Sequence, residues 1–372
     1  MSILYVSARY PPFVGGTEVH TYEVATRMAG RGHDVTVLTT AFDPLPTATE
    51  MVNGVRVVRV RAWPADEDLY FAPAMYGFIR GRRWDIVHCQ GYHTMVAPFA
   101  MAAAVSTHQP LVVTFHSGGH SSRLRRVIRP AQRAMLRPLL SRADRLIGVS
   151  QFETDFFRRH LRLPASRFVT ITNGVSPEFL GNDADLPRQG TTICSVGRLQ
   201  RYKGHQRVIS ALPEVRRVLG DVRLRVVGEG PYRSELVALA GRLGVDDAVE
   251  FITIDPSDRR AMANVFRTSD LATLLSDYES QGLVGLEALA AGCPLLVTDG
   301  TALAELNAYG DVSIVPPHVD GRELGALIAQ QIRRGMTPPA KQVPMWEHTV
   351  DAIAGVYGDV LRQRRSLPSA VR

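Results

Sequence analysis

Two glutamates eight residues apart, Glu279 and Glu287, stand in the run SDYESQGLVGLEALAAGCP. Glu279 closes a loop, and Gly282, between Gln281 and Leu283, lets the chain turn tightly into a helix. Counted at helical rise, Glu287 lies roughly 12 Å beyond Glu279. The free N–H groups of a first helical turn and its positive end hold phosphate. A carboxylate ahead of that end can face a sugar, and one further along can accept hydrogen bonds from a ribose diol. A nucleotide-sugar carries all three groups. The competing reading is two solvated glutamates at a helix start, where the dipole favours them.

Other segments add chemistry of the same kind. In SVGRLQRYKGH, Arg198 and Lys203 follow an apolar run and can neutralise a leaving diphosphate through charge-assisted hydrogen bonds. Of the 43 cationic residues, only Lys203 and Lys341 are lysines, so Lys203 stands out in a chain that writes its cations as arginine. In RYPPFVGGTEVH, the pair Gly15-Gly16 precedes an amphipathic segment and allows close backbone approach to a ligand. His116 ends the strand-like LVVTFH, at an edge where an imidazole can meet a sugar hydroxyl. VVGEGPY offers Gly228 and Gly230, which shape a loop near a base. They do not make a dinucleotide fingerprint, because the third glycine is missing.

These segments need a frame that gathers them. Short apolar runs alternate with longer helical patterns: 3–8, 34–40, 55–60, 85–89, 111–116, 145–150 and 168–174, then 191–199, 222–230, 249–253, 271–276, 294–299 and 312–317. That order predicts α/β architecture with two doubly wound, Rossmann-like parallel sheets. The polar stretch 181–190 reads as a linker. The expected domains are therefore 1–182 and 190–345, with a last helix from 346. Ligands bind at the carboxyl ends of such sheets, and each candidate follows a predicted strand.

Composition narrows the alternatives. A chain of 372 residues with 45% hydrophobic and 21% charged content suits a globular protein with two cores. Cys89, Cys194 and Cys293 lie in apolar runs without CxxC spacing and read as core residues. His116 and His120 lack further ligands, so no metal and no cofactor are expected. The net charge of +7 suits anionic partners. No nucleic-acid motif appears, and the basic residues are not interleaved with aromatics. No apolar stretch reaches membrane-spanning length and no leader is recognisable, so a cytoplasmic protein is expected.

The chain resembles the retaining glycosyltransferases of family 4, which have the GT-B fold. The likeness runs through Gly15-Gly16, TFH at 114–116, ITNGVSPEF at 171–179, VGRLQRYKG at 196–204, VGEGP at 227–231, YESQGLVGLEALAAGCPLLVTD at 278–299 and the final helix. The resemblance implies that Arg198 and Lys203 bind the donor diphosphate and Glu287 the ribose. It implies that Glu279, with the N–H groups of Gln281, Gly282, Leu283 and Val284, holds the sugar and β-phosphate. His116 would contact the sugar near its C6 hydroxyl, and Gly16 would approach the phosphate. It further implies an acceptor-binding first domain and a donor-binding second domain facing across a cleft, a C-terminal helix that crosses back to the first domain, and metal-independent transfer of a hexosyl group with retention. A UDP-sugar is favoured over a GDP-sugar. The family often has Gly-Phe-Gly where this chain has Ser280-Gln281-Gly282, which sets polar groups beside the sugar.

The acceptor reads as a small molecule or a lipid-linked one. Residues 121–145 hold eight arginines, with Arg126, Arg129, Arg133 and Arg137 at helical spacing. Val127, Ile128, Met135, Leu136 and Leu139 supply an apolar side, interrupted by Pro130 and Pro138. Such a helix can dock peripherally on an anionic membrane at its inner face, or be an ordinary solvated face. Alternatives to transfer are a nucleotide-sugar 2-epimerase of the same fold, a non-enzymatic two-domain binder, and a glycoside hydrolase using the two glutamates.

Overall fold

The computed structural model describes residues 1–13, 15–41, 47–64, 69–117, 123–181, 190–255, 257–335 and 342–366, with side chains in the helix at 123–140 described from 128 onward. His120, Lys341, most of the expected linker (182–189) and the tail from 367 lie outside those residues. The chain divides into two compact units, one of Met1–Ser117, Arg123–Asn173 and the segment from Trp346 on, the other built chiefly on Gly174–Met345.

The first unit runs β1 (Ser2–Ser7), α1 (Gly16–Gly30), β2 (Asp34–Ala41), β3 (Ala48–Val52), β4 (Val55–Arg61), α2 (Ala74–Arg80), β5 (Ile86–Gln90), α3 (Val96–Ser106), β6 (Leu111–Thr114), α4 (Arg123–Leu140), β7 (Arg145–Gly148), α5 (Gln151–Leu161) and β8 (Phe168–Thr170). Its eight strands lie in the order β3-β4-β2-β1-β5-β6-β7-β8. Strands such as β5 (IVHCQ) are buried along their whole length, as a parallel sheet covered on both faces requires. The sheet is not wholly parallel, contrary to the sequence reading. β3 pairs antiparallel with β4 through a hairpin at Asn53-Gly54, both at positive φ (48° and 79°). Asn-Gly is the dipeptide that a two-residue hairpin turn prefers.

The second unit runs β9 (Thr191–Val196), α6 (His205–Leu219), β10 (Val222–Val227), α7 (Arg233–Arg242), β11 (Val249–Ile252), α8 (Arg259–Arg267), β12 (Leu271–Leu274), α9 (Leu283–Ala290), β13 (Leu295–Thr298), β14 (Val312–Val315) and α10 (Gly321–Arg334). Its six strands are all parallel, in the order β11-β10-β9-β12-β13-β14. The reversal between β9 and β12 is the doubly wound switch point.

The last helix, α11 (Trp346–Ser366), belongs to the first unit and runs past residue 362. It buries Trp346, Ile353, Tyr357 and Val360, and its Glu347 pairs with Arg27 on α1 at 3.0 Å. The three cysteines are free and buried, as read from the sequence, and burial pushes the Cys89 thiol up to about 12. No helix among the described residues is long and apolar enough to cross a membrane.

The arginine-rich segment departs from its reading in two ways. α4 continues through Pro130 and Pro138 without a break. Its apolar residues also do not share one exposed side: Leu136 and Leu140 enter the core, while Ile128 and Met135 stay exposed. Arg133 lies over the Phe156 ring and Arg137 donates to the Leu161 carbonyl at 2.8 Å, so both also hold α4 to α5.

α5 in turn sits hard on the end of β7. A Cβ at Gly148 would meet Thr154 Oγ1 at 2.3 Å and its backbone nitrogen at 2.8 Å. Gly148→Ala is expected to destabilise the first unit by about 2 kcal/mol, the usual cost of overpacking. Thermal unfolding followed by near-UV circular dichroism will read it as a lowered midpoint. An unchanged midpoint would mean that α5 is free to move away.

Candidate functional site

In the second unit, three chain reversals bring the charged candidates together. β9 ends at Val196, and the chain leaves through Gly197 at φ 150°. The 197–199 loop then pairs with the 228–230 loop through Gly197 N to Val227 O (3.0 Å) and Leu199 N to Glu229 O (2.7 Å). A Cβ at Gly228 would meet the Gly197 carbonyl at 2.1 Å, and one at Gly230 the Leu199 carbonyl at 2.4 Å. Gly228, a donor-binding candidate from sequence, thus faces the neighbouring loop and supports the strand exit that carries Arg198.

Lys203 ends a single 3-10 turn (Arg201–Lys203) closed by Gly204 at φ 81°. A side chain at 204 would collide with the Leu275 carbonyl, 2.0 Å away, so only glycine lets this turn rest on the exit of β12. The contact is reinforced by Asp277 N donating to Tyr202 O at 2.7 Å. Lys203 Nζ reaches Glu279 Oε1 at 2.5 Å, and Ser276 Oγ donates to the same oxygen at 2.9 Å. Burial disfavours the Lys203 ammonium, but the Glu279 carboxylate and then the Tyr202 phenol outweigh it, so its pKa is raised. Arg198 acts on Lys203 as a nearby like charge, is itself exposed, and makes no ion pair among the described residues. Behind this loop His205 is buried, with Ser195 Oγ at 2.8 Å on one ring nitrogen and the Arg198 carbonyl at 3.3 Å on the other. Burial lowers its pKa to about 4.

α9 begins after Gly282, which adopts φ 84° and has Leu303 Cδ2 at 2.3 Å from where a Cβ would stand. Leu283 and Val284 head the helix, so their N–H groups have no carbonyl one turn back within it. Gln281 is buried beside them. The helix therefore starts four residues after Glu279, and the spacing of the two glutamates is not a run of helical rise. Glu287 sits one turn along α9, with only 5% of its side chain exposed. It forms an ion pair with Arg259, whose guanidinium also lies 4.7 Å from the Phe179 ring centroid. Arg259 was missed from sequence. It opens α8 behind the capping Asp258, just after β11, so the cap signal in Ser257-Asp258 and its place after a strand were both available.

In the first unit, α1 begins at Gly15-Gly16. A Cβ at Gly16 would meet nothing within 4 Å, whereas one at Gly15 would touch Glu18. α1 carries His20 against His116, with ring centroids 4.5 Å apart, edge to face. His116 does not end its strand. β6 stops at Thr114, and His116 lies two residues on at φ 45°, a left-handed conformation that non-glycine residues hold only when the surroundings impose it. Its Nε2 donates to Gln90 Oε1 at 2.8 Å. His20 Nδ1 donates to Asn173 Oδ1 at 2.6 Å, which leaves the lone pair on the buried Nε2 to accept a further bond. Gln90 Nε2 and Trp346 Nε1 are also buried, and none of the three has a partner among the described residues. His20 and Gln90 touch His116 and Trp346 packs on His20 with ring centroids 6.0 Å apart, so one acceptor and two donors gather on this side of the unit, a set that suits a hydroxyl or a water. Burial, then repulsion from His20, His88 and His93, holds His116 well below the ordinary imidazole range. Among the described residues no group of three His, Cys, Asp or Glu side chains is arranged to hold a metal ion.

Residues 14–179 match the family model for Glycosyltransferase Family 4, and residues 180–337 match that for Glycosyl transferases group 1. The chain is 31% identical to a glycogen synthase of Mycobacterium tuberculosis, over 91% of this chain and 87% of that one. It is 30% identical to a phosphatidyl-myo-inositol mannosyltransferase of Mycobacterium leprae, over 85% and 83%. Two solved structures share the fold. One is sucrose-phosphate synthase from Thermosynechococcus elongatus (TM-score 0.74, 20% identity, 97% of this chain and 99% of that one). The other is Anabaena HepE in complex with UDP and glucose (TM-score 0.71, 19% identity, 99% and 100%).

Two predictions follow from the charges. Arg259→Ala leaves the buried Glu287 without its cation and is expected to lower stability by about 2–3 kcal/mol, read by thermal unfolding, with Arg259→Lys recovering part. A full wild-type midpoint in Arg259→Ala would show that the pair contributes nothing. The second concerns pH. His20 has a folded pKa of about 4, and His88 and His116 are also lowered, chiefly by burial. Each stays neutral in the fold and gains a proton on unfolding below about pH 6.5, so each loses stability as pH falls. Burial raises Glu153 to about 7, which has the opposite sign between its unfolded value and 7. His205, lowered to about 4, adds to the same loss, so net uptake of three protons from these five groups predicts a loss of about 4 kcal/mol per pH unit near pH 5.5. His20→Gln should lower that slope by about a third in thermal melts, and an unaltered slope would show that His20 is charged in the fold.

Proposed function

The chain belongs to glycosyltransferase family 4, and from that premise we propose that it moves a hexosyl group from a nucleotide-diphosphate sugar to an acceptor hydroxyl, with retention and without a metal ion. The observation that carries this reading is the Lys203–Glu279 pair at 2.5 Å, set beside exposed Arg198 and just ahead of the helix start at Gly282. Only one of the three ammonium donors of Lys203 is used by Glu279. The others, with Arg198 and the N–H groups of Leu283 and Val284, suit the two phosphates.

The chemistry then follows from charge. As the bond from sugar C1 to the diphosphate stretches, negative charge grows on the leaving oxygen. Fixed cations and oriented N–H groups stabilise it without reorganising. C1 gains oxocarbenium character, and the acceptor hydroxyl attacks from the side the diphosphate leaves. A phosphate oxygen takes the hydroxyl proton, so no protein base is needed. Glu279 orients the sugar and Glu287 the ribose diol. Because Glu287 is held by Arg259, ribose binding shares or displaces that cation. Neutral His116 serves the sugar as a hydrogen-bond group and adds no charge near C1.

A UDP-sugar is our first choice of donor. It agrees with the UDP and glucose bound to HepE, a protein of this fold. The acceptor is a small molecule or a lipid-linked one. Relatives named for D-inositol 3-phosphate and for phosphatidyl-myo-inositol span both classes. Peripheral membrane contact through α4 rests on exposed Ile128 and Met135 with Arg129, because Arg133 and Arg137 also make contacts to α5.

The test is thermal stabilisation by UDP, GDP and ADP and their sugars, with chelator present. A matching nucleotide at a hundred times its dissociation constant stabilises by about 2.7 kcal/mol. The shift is expected with UDP and expected to vanish in Lys203→Ala. Stabilisation by none of the three, or a full shift in Lys203→Ala, would overturn the donor site.

A further inference from the structure

We infer that Glu153, a buried glutamate on α5 far from His116 in sequence, is a positioning residue that holds the His116 turn in its left-handed conformation. The inference rests on the proposed reading of His116 as a sugar contact and deepens it.

Glu153 is the third residue of α5 and is fully buried. Ser150 caps the helix, its Oγ accepting from Glu153 N at 3.0 Å. An ordinary capping box would send the Glu153 carboxylate back to the cap's own N–H. Here it does something else. Oε2 accepts from Val149 N at 2.9 Å, and Oε1 accepts from both Ser117 N (2.6 Å) and Ser117 Oγ. The Val149 bond is local, to the residue just before the cap. The two bonds to Ser117, 36 positions away, serve no cap.

Ser117 directly follows His116. The residue before it, Phe115, is anchored to the same helix one turn on, its ring stacked 3.6 Å from Phe157 with the planes 7° apart. Glu153 and Phe157 are four apart and share a helix face. Both neighbours of His116 are thus fastened to α5, while the His116 side chain turns to Gln90 and His20. A backbone pinned on both sides leaves the residue between them little choice of φ, and His116 stands at 45°. α5 gives little ground, because Thr154 fills the space against Gly148.

The choice of residue supports the role. No cation pairs with Glu153 among the described residues, and a buried carboxylate without one is costly unless donors surround it. An apolar side chain would fill the same place at lower cost. A carboxylate is the acceptor that takes two donors from Ser117 on one oxygen and one from Val149 on the other.

The experiment compares wild type, Glu153→Gln, Ser117→Ala and His116→Gln by two readouts. Calorimetry measures affinity for UDP and UDP-glucose, and for GDP and GDP-mannose, giving the gain that the sugar adds over the bare nucleotide. Carbon-13 NMR of histidine-labelled protein follows the His116 Cε1–H peak, identified by its absence in His116→Gln. Glu153→Gln keeps an acceptor for Ser117 but sets an amide N–H₂ against Val149 N. It is expected to lose the sugar-dependent gain by about tenfold while binding bare nucleotide as wild type does, and to move the His116 peak. Ser117→Ala removes one donor, keeps the fold, and should show the same changes at smaller size. A retained sugar-dependent gain in both variants overturns the inference, as does an unmoved peak. A wild type in which the sugar adds nothing also overturns it. If no nucleotide binds wild type, the donor reading has failed on its own. The peak then decides whether Glu153 sets the turn.

Discussion

A carboxylate taken out of water must be met by donors, and donors are scarce inside a parallel sheet whose backbone is already paired. Glu153, Glu279 and Glu287 are all largely or wholly buried. Each solves the problem with donors from another segment: Ser117 for Glu153, Lys203 for Glu279, Arg259 for Glu287. Loops with no regular structure of their own therefore acquire fixed positions. The candidate site depends on this constraint more than on the sheets beneath it, which supply places to attach loops but do not determine their path.

Glycine makes those attachments possible at a few points. Gly204 and Gly282 hold φ near 80°, and a side chain at either would strike Leu275 or Leu303. The first lets the Lys203 turn lie on the exit of β12, and the second starts α9 where its N–H groups follow Glu279 by a few residues. In the first unit a histidine occupies such a backbone region, and the surroundings that impose it are the two anchors on α5. The buried histidines near it stay neutral, so the turn presents hydrogen-bond groups without net charge. That is suited to hydroxyls. In the second unit the cations Arg198 and Lys203 and the helix start suit phosphate.

The parallel strands were legible because buried runs such as ILYVS and LLVT are short, apolar and separated by helical patterns. The Lys203–Glu279 pairing was half legible: both residues lie in local motifs, and only the fold brings them together. Arg259, His20 and Glu153 were not read, because each acquires meaning from a partner 28 to 153 positions away. The hairpin at Asn53-Gly54 has a clear turn signal, but β3 (ATEMV) lacks the apolar run of its neighbours because it is exposed at the sheet edge, so its pattern does not read as a strand. LVVTFH is apolar throughout, and that pattern alone places His116 at a strand end. Its φ is a tertiary outcome that an apolar pattern does not encode. The exposed Ile128 and Met135 and buried Leu136 and Leu140 of α4 show the same limit: helical spacing predicts a stripe, and packing decides which part of it is covered.

The central claim is transfer from a nucleotide-sugar with retention and without metal. Proton NMR of the purified protein with UDP-glucose, a chelator and a panel of inositol, glycan and lipid-linked acceptors observes the anomeric proton directly. The account predicts that free UDP appears together with a glycoside of the donor's own anomeric configuration. An inverted anomer, a donor epimerised at C2, or consumption only after a divalent metal is restored would contradict it.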